Sequence, residues 1–171
     1  PFFQCEEAQF RQLTQLPSPE GVLAVLAFPS AEAWKPTQLP QLPPGPGLIL
    51  EDIQDPGNLG TILRIADWFG FQEIICSKGC VDILNPKTLR SSMGAIFRTR
   101  VTYVSSLTEL LRDNKQQVWV ADMAGIPLDK APLSPQDYLL LGNEANGISQ
   151  QIRALKTLQF FHIPGAGGAE A

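Results

Sequence analysis

Histidine is almost absent from this chain and cysteine is scarce: His162 stands alone beside Cys5, Cys76 and Cys80. Three thiols cannot close a disulfide framework, and the spacing of Cys76 and Cys80 is not that of a zinc knuckle. Reduced thiols and no structural metal are therefore expected. No apolar run is long enough to span a bilayer and no secretory pattern is present, so a cytoplasmic chain without membrane contact is the expectation. Two glycine motifs are also missing. No Gly-Lys-Ser/Thr follows a strand, which excludes a Walker phosphate loop, and no Gly-x-Gly-x-x-Gly follows the first strand, which leaves a Rossmann dinucleotide site unsupported. Positive charge is in short supply as well: 13 Lys and Arg face 17 Asp and Glu, a net charge of −4. That balance argues mildly against a nucleic-acid binder, but the placement of charge matters more than its sum.

What is present suits one full core with a short appendage: 171 residues, 44% hydrophobic and 18% charged. Lys78, Lys87, Arg90, Arg98 and Arg100 crowd into one stretch with only Asp82 among them. They form either a basic patch or a set of solvated loop and helix charges. Residues 1–46 look different from the rest. An amphipathic piece over residues 5–16 ends at Pro17, a small strand is expected over Val22–Phe28, and a run of prolines from Pro36 to Pro46 reads as a semi-rigid linker. Residues 1–46 are thus expected to be the tail of a preceding domain plus its linker, with the main domain over 47–171.

From Gly47 onward the pattern alternates. Candidate strands are Leu48–Leu50, Glu73–Cys76, Val101–Val104, Val118–Ala121, Tyr138–Leu141 and Leu158–Ile163. Candidate helices are Leu59–Phe69, Pro86–Met93, Leu107–Asn114 and Ser149–Ala154. Short apolar strands alternating with helices predict an α/β fold, a mainly parallel sheet with helices on both faces.

Leu48–Gly70 is the most informative stretch. Leu48, Ile49 and Leu50 read as a strand buried on both faces. Asp55 or Asn58 can cap the helix that follows, with Pro56 and Gly57 at its start. At about 100° per residue, Leu59, Ile62, Leu63, Ala66 and Phe69 share one stripe facing the sheet. Arg64 falls almost opposite that stripe, beside a second, partly apolar surface of Thr61, Ile65 and Trp68. A surface helix ordinarily has one apolar stripe, so the second suggests burial against another domain or subunit. Taken alone, Arg64 is most simply a solvated helix charge.

Two further loops follow strands. Tyr138–Leu141 runs into Gly142, Asn143, Glu144 and Gly147, where the glycines permit close backbone approach and Ser149 can cap the next helix. Phe160–Ile163 runs into Pro164 and a glycine-rich turn that includes Gly167.

Together these three constellations resemble the SpoU (TrmH) family of S-adenosyl-L-methionine-dependent RNA ribose 2′-O-methyltransferases, of the SPOUT class. The first motif is met by Asn58 and Arg64, the second by Gly142, Glu144 and Gly147, the third by Ile163, Pro164 and Gly167. The resemblance covers nearly everything after the proline run. It implies a SPOUT-type α/β fold with a C-terminal trefoil knot, and residues 1–46 are similar to the end of a ribosomal-protein-like substrate-binding domain. It implies a cofactor held by Met123, Ala124 and Gly125, by Leu141, Gly142, Asn143 and Gly147, and by Ile163, Pro164 and Gly167. Arg64, Asn58 and Glu144 would be catalytic, and Arg64, Lys87, Arg90 and Arg98 would contact the RNA, rRNA or tRNA. The active site would lie at a homodimer interface.

In one respect the chain departs from the family. Ala171 stands where the third motif's serine is expected, so the knot-closing segment is expected to be missing, and a chain ending there is expected to be impaired. That departure and the acidic charge support a rival reading, a non-catalytic RNA-binding or assembly module that keeps the fold. A different α/β small-molecule enzyme is disfavoured by the missing phosphate loop.

Overall fold

The computed structural model describes residues 2–14, 16–25 and 36–165. The chain divides into two compact units, Pro1–Ala33 and Trp34–Ala171. In the first, helix α1 (Glu7–Leu13) opens with a reciprocal capping box between Glu6 and Gln9, and none of its residues is buried. The strand expected over Val22–Phe28 is absent from its described part: residues 22–25 are irregular, and Val22 and Val25 are exposed. An isolated apolar run has no ladder partner, and without one its β-propensity counts for little. Residues 26–28 lie outside the described residues.

The second unit holds six strands: β1 (Gly47–Leu50), β2 (Glu73–Ser77), β3 (Arg100–Val104), β4 (Val118–Pro127), β5 (Tyr138–Leu141) and β6 (Gln159–His162). All pair in parallel, in the order β3-β2-β1-β5-β4-β6. Between them run α2 (Pro56–Phe69), α3 (Pro86–Ser91), α4 (Leu107–Arg112) and α5 (Gln150–Arg153). Strands β1 and β2 are buried on both faces, as crossover helices on either side require. One core joins Leu48, Leu50, Ile74 and Cys76 to Leu59, Leu63 and Ala66 of α2. The other joins Ile49, Ile75 and Leu140 to Leu107, Leu110 and Leu111 of α4 and Ile152 of α5. The side chains alternate between faces because the strand period is two.

The helix stripe needs one correction. Leu59, Leu63 and Ala66 are buried, but Phe69 is 71% exposed. It is the last residue of α2, where Gly70 turns left-handed (φ 78°) and ends the helix.

The proline run is also less of a linker than its composition suggests. Thr37 bridges to Val104 at the sheet edge, Leu42 is buried in the core, and the Tyr138 hydroxyl donates to the Pro43 carbonyl at 2.9 Å. Prolines exclude a regular element without preventing the segment from packing. The glycine-rich turn expected to lead toward a knot, residues 166–171, lies outside the described residues.

Strand order reverses between β1 and β5: the chain leaves β1 toward β2 and β3, and leaves β5 toward β6 on the other side. In open parallel sheets such a switch point opens a crevice at the C-terminal strand ends, where ligands bind.

Candidate active site

The first turn of α2 sits at that crevice. Asp55, not Asn58, is the cap: its Oδ1 accepts from the Asn58 amide at 2.8 Å, with Pro56 at the first helical position. The Lys87 ammonium donates to Asp55 Oδ2 at 2.9 Å. That hydrogen bond first, and then the Asn58 amide, hold the Asp55 carboxyl below its ordinary range. Because Asp55 caps the helix, the Asn58 side chain is released to reach outward. Its Nδ2 donates to Glu144 Oε1 at 2.8 Å, across 86 residues of sequence. Two residues singled out from separate motifs thus meet at the switch point.

The loop after β5 is pinned by Asn143. Its Oδ1 accepts from the amides of Ala145 and Asn146, both at 3.0 Å, and its Nδ2 donates to the Asp52 carbonyl at 2.8 Å. Backbone bonds between Asn143 and Gly147 close the loop, with Gly147 at φ 64°. A Cβ on Gly142 would lie 2.6 Å from the Gly147 carbonyl carbon, so the two loop ends touch only because residue 142 has no side chain. Leu141 sits at the strand end, half-buried.

Three residues unmarked by sequence reasoning hold the other side. Glu51 is buried and accepts from the Ser149 amide at 2.9 Å. Asp52 is a non-glycine residue at φ 54°. It is fixed there by Ser77, whose hydroxyl donates to Asp52 Oδ1 at 2.6 Å and accepts from the Asp52 amide at 2.9 Å. Sparsely populated backbone of this kind persists only where the surroundings over-determine it. The available signal was a pair of carboxylates directly after a wholly apolar strand. Glu51, Asp52, Gln54, Asn143, Asn146, Gly147 and Ser149 line an open cavity of about 120 Å³.

Strand β4 supplies a third loop. Ala121 and Ile126 both pair with Phe161, so residues 122–125 leave the ladder between them. Met123 and Ala124 are exposed on this excursion. Gly125 lies on the β6 backbone, where a Cβ would come within 2.3 Å of the Phe161 nitrogen. The Gly125 carbonyl is 2.8 Å from Nδ1 of His162, so that nitrogen carries the proton and donates. Ile163 and Pro164 follow at the end of β6, both exposed. Gly167 lies outside the described residues.

Arg64 is not drawn into this network. It is exposed on α2, and its side chain makes no hydrogen bond or ion pair with a described residue. Beside it, Ile65 is 48% and Trp68 85% exposed, so the second apolar surface has no cover among the described residues.

The basic stretch is only partly basic in space. Lys87 pairs with Asp55, Arg98 with Asp67 at 2.7 Å, and Arg100 with Glu73. Arg90 and Lys78 are exposed and pair with no described carboxylate. The acids missing from the local sequence arrive from α2 and β2. No group of three or more His, Cys, Asp or Glu that could hold a metal ion occurs among the described residues. Cys76 and Cys80 are buried free thiols.

Residues 46–171 match the family model described as the SpoU rRNA Methylase family. The chain is 28% identical over 172 residues to the 23S rRNA (guanosine(2553)-2′-O)-methyltransferase RlmP of Bacillus subtilis, covering 99% of this chain and 66% of that one. Among solved structures it is similar to a TrmH-family protein of Porphyromonas gingivalis, with TM-score 0.78 and 32% identity over 94% of this chain and 63% of the other. It is also similar to the SpoU methyltransferase AviRb of Streptomyces viridochromogenes solved with AdoMet, with TM-score 0.65 and 28% identity over 80% and 55% of the two chains. The chain spans about two thirds of the length of the Bacillus relative and about a fifth of a mitochondrial rRNA methyltransferase of Xenopus tropicalis.

Proposed function

The chain belongs to the SpoU rRNA methylase family, and from that premise we propose that it forms the catalytic domain of an S-adenosyl-L-methionine-dependent methyltransferase acting on a ribose 2′-hydroxyl of rRNA or tRNA. The observation that carries this reading is the Asn58–Glu144 bond, which joins the first and second motifs at the topological switch point of the sheet.

The residues present suit the cofactor. Gly125 and Gly142 each lie against backbone where a Cβ would clash, so the excursion within β4 and the loop after β5 present main-chain donors and acceptors closely packed. Met123, Ile126 and Ile163 stand exposed around the ends of β4 and β6, an apolar rim of the kind that covers a heterocycle. When bound, adenosylmethionine supplies an electrophilic methyl group on a sulfonium.

The chain's own residues do the rest. Arg64 holds the negative charge that develops on the 2′-oxygen as its proton passes to solvent water, and it engages the neighbouring phosphate. A guanidinium gives up a proton only above about pH 12, so charge stabilisation, not proton removal, is its part. Asn58 and Glu144 fix the first turn of α2 against the β5 loop and so set where the helix presents Arg64. Arg90 adds an unneutralised charge for the RNA backbone. Arg64 acts on substrate held at the cofactor loops of a second copy of the chain. The exposed Ile65 and Trp68 beside it support a homodimer through this surface of α2.

The test is transfer of labelled methyl from adenosylmethionine to RNA, with calorimetry of cofactor binding, in the longest natural form of the protein. Cofactor binding and ribose methylation are expected. No detectable binding would overturn the reading in favour of an RNA-binding or assembly module that keeps the fold.

A further inference from the structure

The excursion in β4 is held from outside the sheet by one side chain of α5. Arg153 Nη1 donates to Asp122 Oδ1 at 3.1 Å and its Nη2 lies 2.5 Å from Oδ2, a two-pronged pair. The Asp122 side chain is 8% exposed, the least of any carboxylate in the ion pairs described. Its Oδ1 also accepts from the Ala124 amide at 2.9 Å. Asp122 therefore does two jobs at once: it folds the turn through Met123 and Ala124, and it ties that turn to Arg153. On the far side, His162 and the β6 backbone fix Gly125.

We propose that Arg153 is a positioning residue for the cofactor, setting the Met123–Gly125 loop through Asp122. The inference rests on the reading of that loop as part of the adenosylmethionine site. A nearly buried carboxylate that loses its one cationic partner among the described residues must find water. Without Arg153 the Asp122 carboxylate faces water in place of the guanidinium, and the turn through Met123 and Ala124 loses its tie to α5. Lysine keeps the charge and loses the planar fork, so it restores the pair in part.

The experiment compares Arg153→Ala and Arg153→Lys with the unaltered protein in its longest natural form. Three quantities are read: hydrogen exchange at residues 122–125, the dissociation constant for adenosylmethionine, and the split between KM for the cofactor and kcat. The Ala variant is expected to speed exchange at Ala124 and to weaken cofactor binding about tenfold, with KM rising and kcat within about twofold. The Lys variant is expected to fall between. Faster exchange with unchanged cofactor affinity would overturn the proposal, and so would a loss confined to kcat and Tm. Absence of cofactor binding in the unaltered protein would overturn the cofactor reading itself, and the inference with it.

Discussion

Asn58 and Arg64 stand on one helix, six residues apart, and their surroundings could hardly differ more. Asn58 is bonded through its amide to Asp55 and through its side chain to Glu144. Arg64 has no described partner and sits beside an uncovered tryptophan. The difference separates what the chain builds for itself from what it leaves for something else to complete. The crevice between β1 and β5 is held by short bonds among Glu51, Asp52, Ser77, Asn143 and Ser149. The outer surface of α2 carries a charge and an apolar patch that no described residue neutralises or covers.

Four changes would break or sharpen that contrast. Arg64→Ala is expected to have the largest effect, lowering kcat by about a hundredfold or more with cofactor affinity and Tm unchanged. Equal activity in steady-state methyl transfer would remove Arg64 from the mechanism. Next is Gly125→Ala, whose Cβ would meet the Phe161 nitrogen at 2.3 Å. The β6 backbone must shift, costing roughly 1–3 kcal/mol, and calorimetry should find cofactor binding lost or much weakened. Ile65→Lys with Trp68→Lys is expected to turn a dimer into a monomer in sedimentation while circular dichroism stays constant, since neither side chain is in the core. The smallest effect is expected at the built-in bond. A double-mutant cycle over Asn58→Ala and Glu144→Ala should give a coupling of about 0.5–1 kcal/mol in denaturant unfolding, as the pair is solvent-exposed.

Much of this was legible in the sequence because it depends on neighbours along the chain. The six strands, the four helices of the main unit and the loops after β1 and β5 follow from apolar runs, caps and glycines within a few residues of each other. What was missed depends on partners far away. The left-handed turn at Asp52 is made by Ser77, the Asp122 turn is tied by Arg153, and the acids that neutralise Lys87, Arg98 and Arg100 come from α2 and β2. The same cause misled twice in the opposite sense. Val22–Val25 has strand composition but no partner strand among the described residues, and the proline run has linker composition but a hydrophobic edge of the core to rest on. The choice between Asp55 and Asn58 as cap, open in the sequence, falls to Asp55, which accepts from the Asn58 amide and leaves the Asn58 side chain for Glu144.

In the proposed mechanism Arg64 serves the cofactor loops of a second copy while Asn58 serves its own. Mixing inactive Arg64→Ala protein with inactive Gly125→Ala protein, after exchange of subunits, tests it directly. In a mixed dimer one site would combine an intact Arg64 with an intact loop. Random pairing should therefore restore about a quarter of the methyl-transfer activity of the unaltered protein. Activity that stays at the level of the two variants alone, with mixed dimers demonstrated by mass, would contradict the claim and place Arg64 and the cofactor loop within one chain.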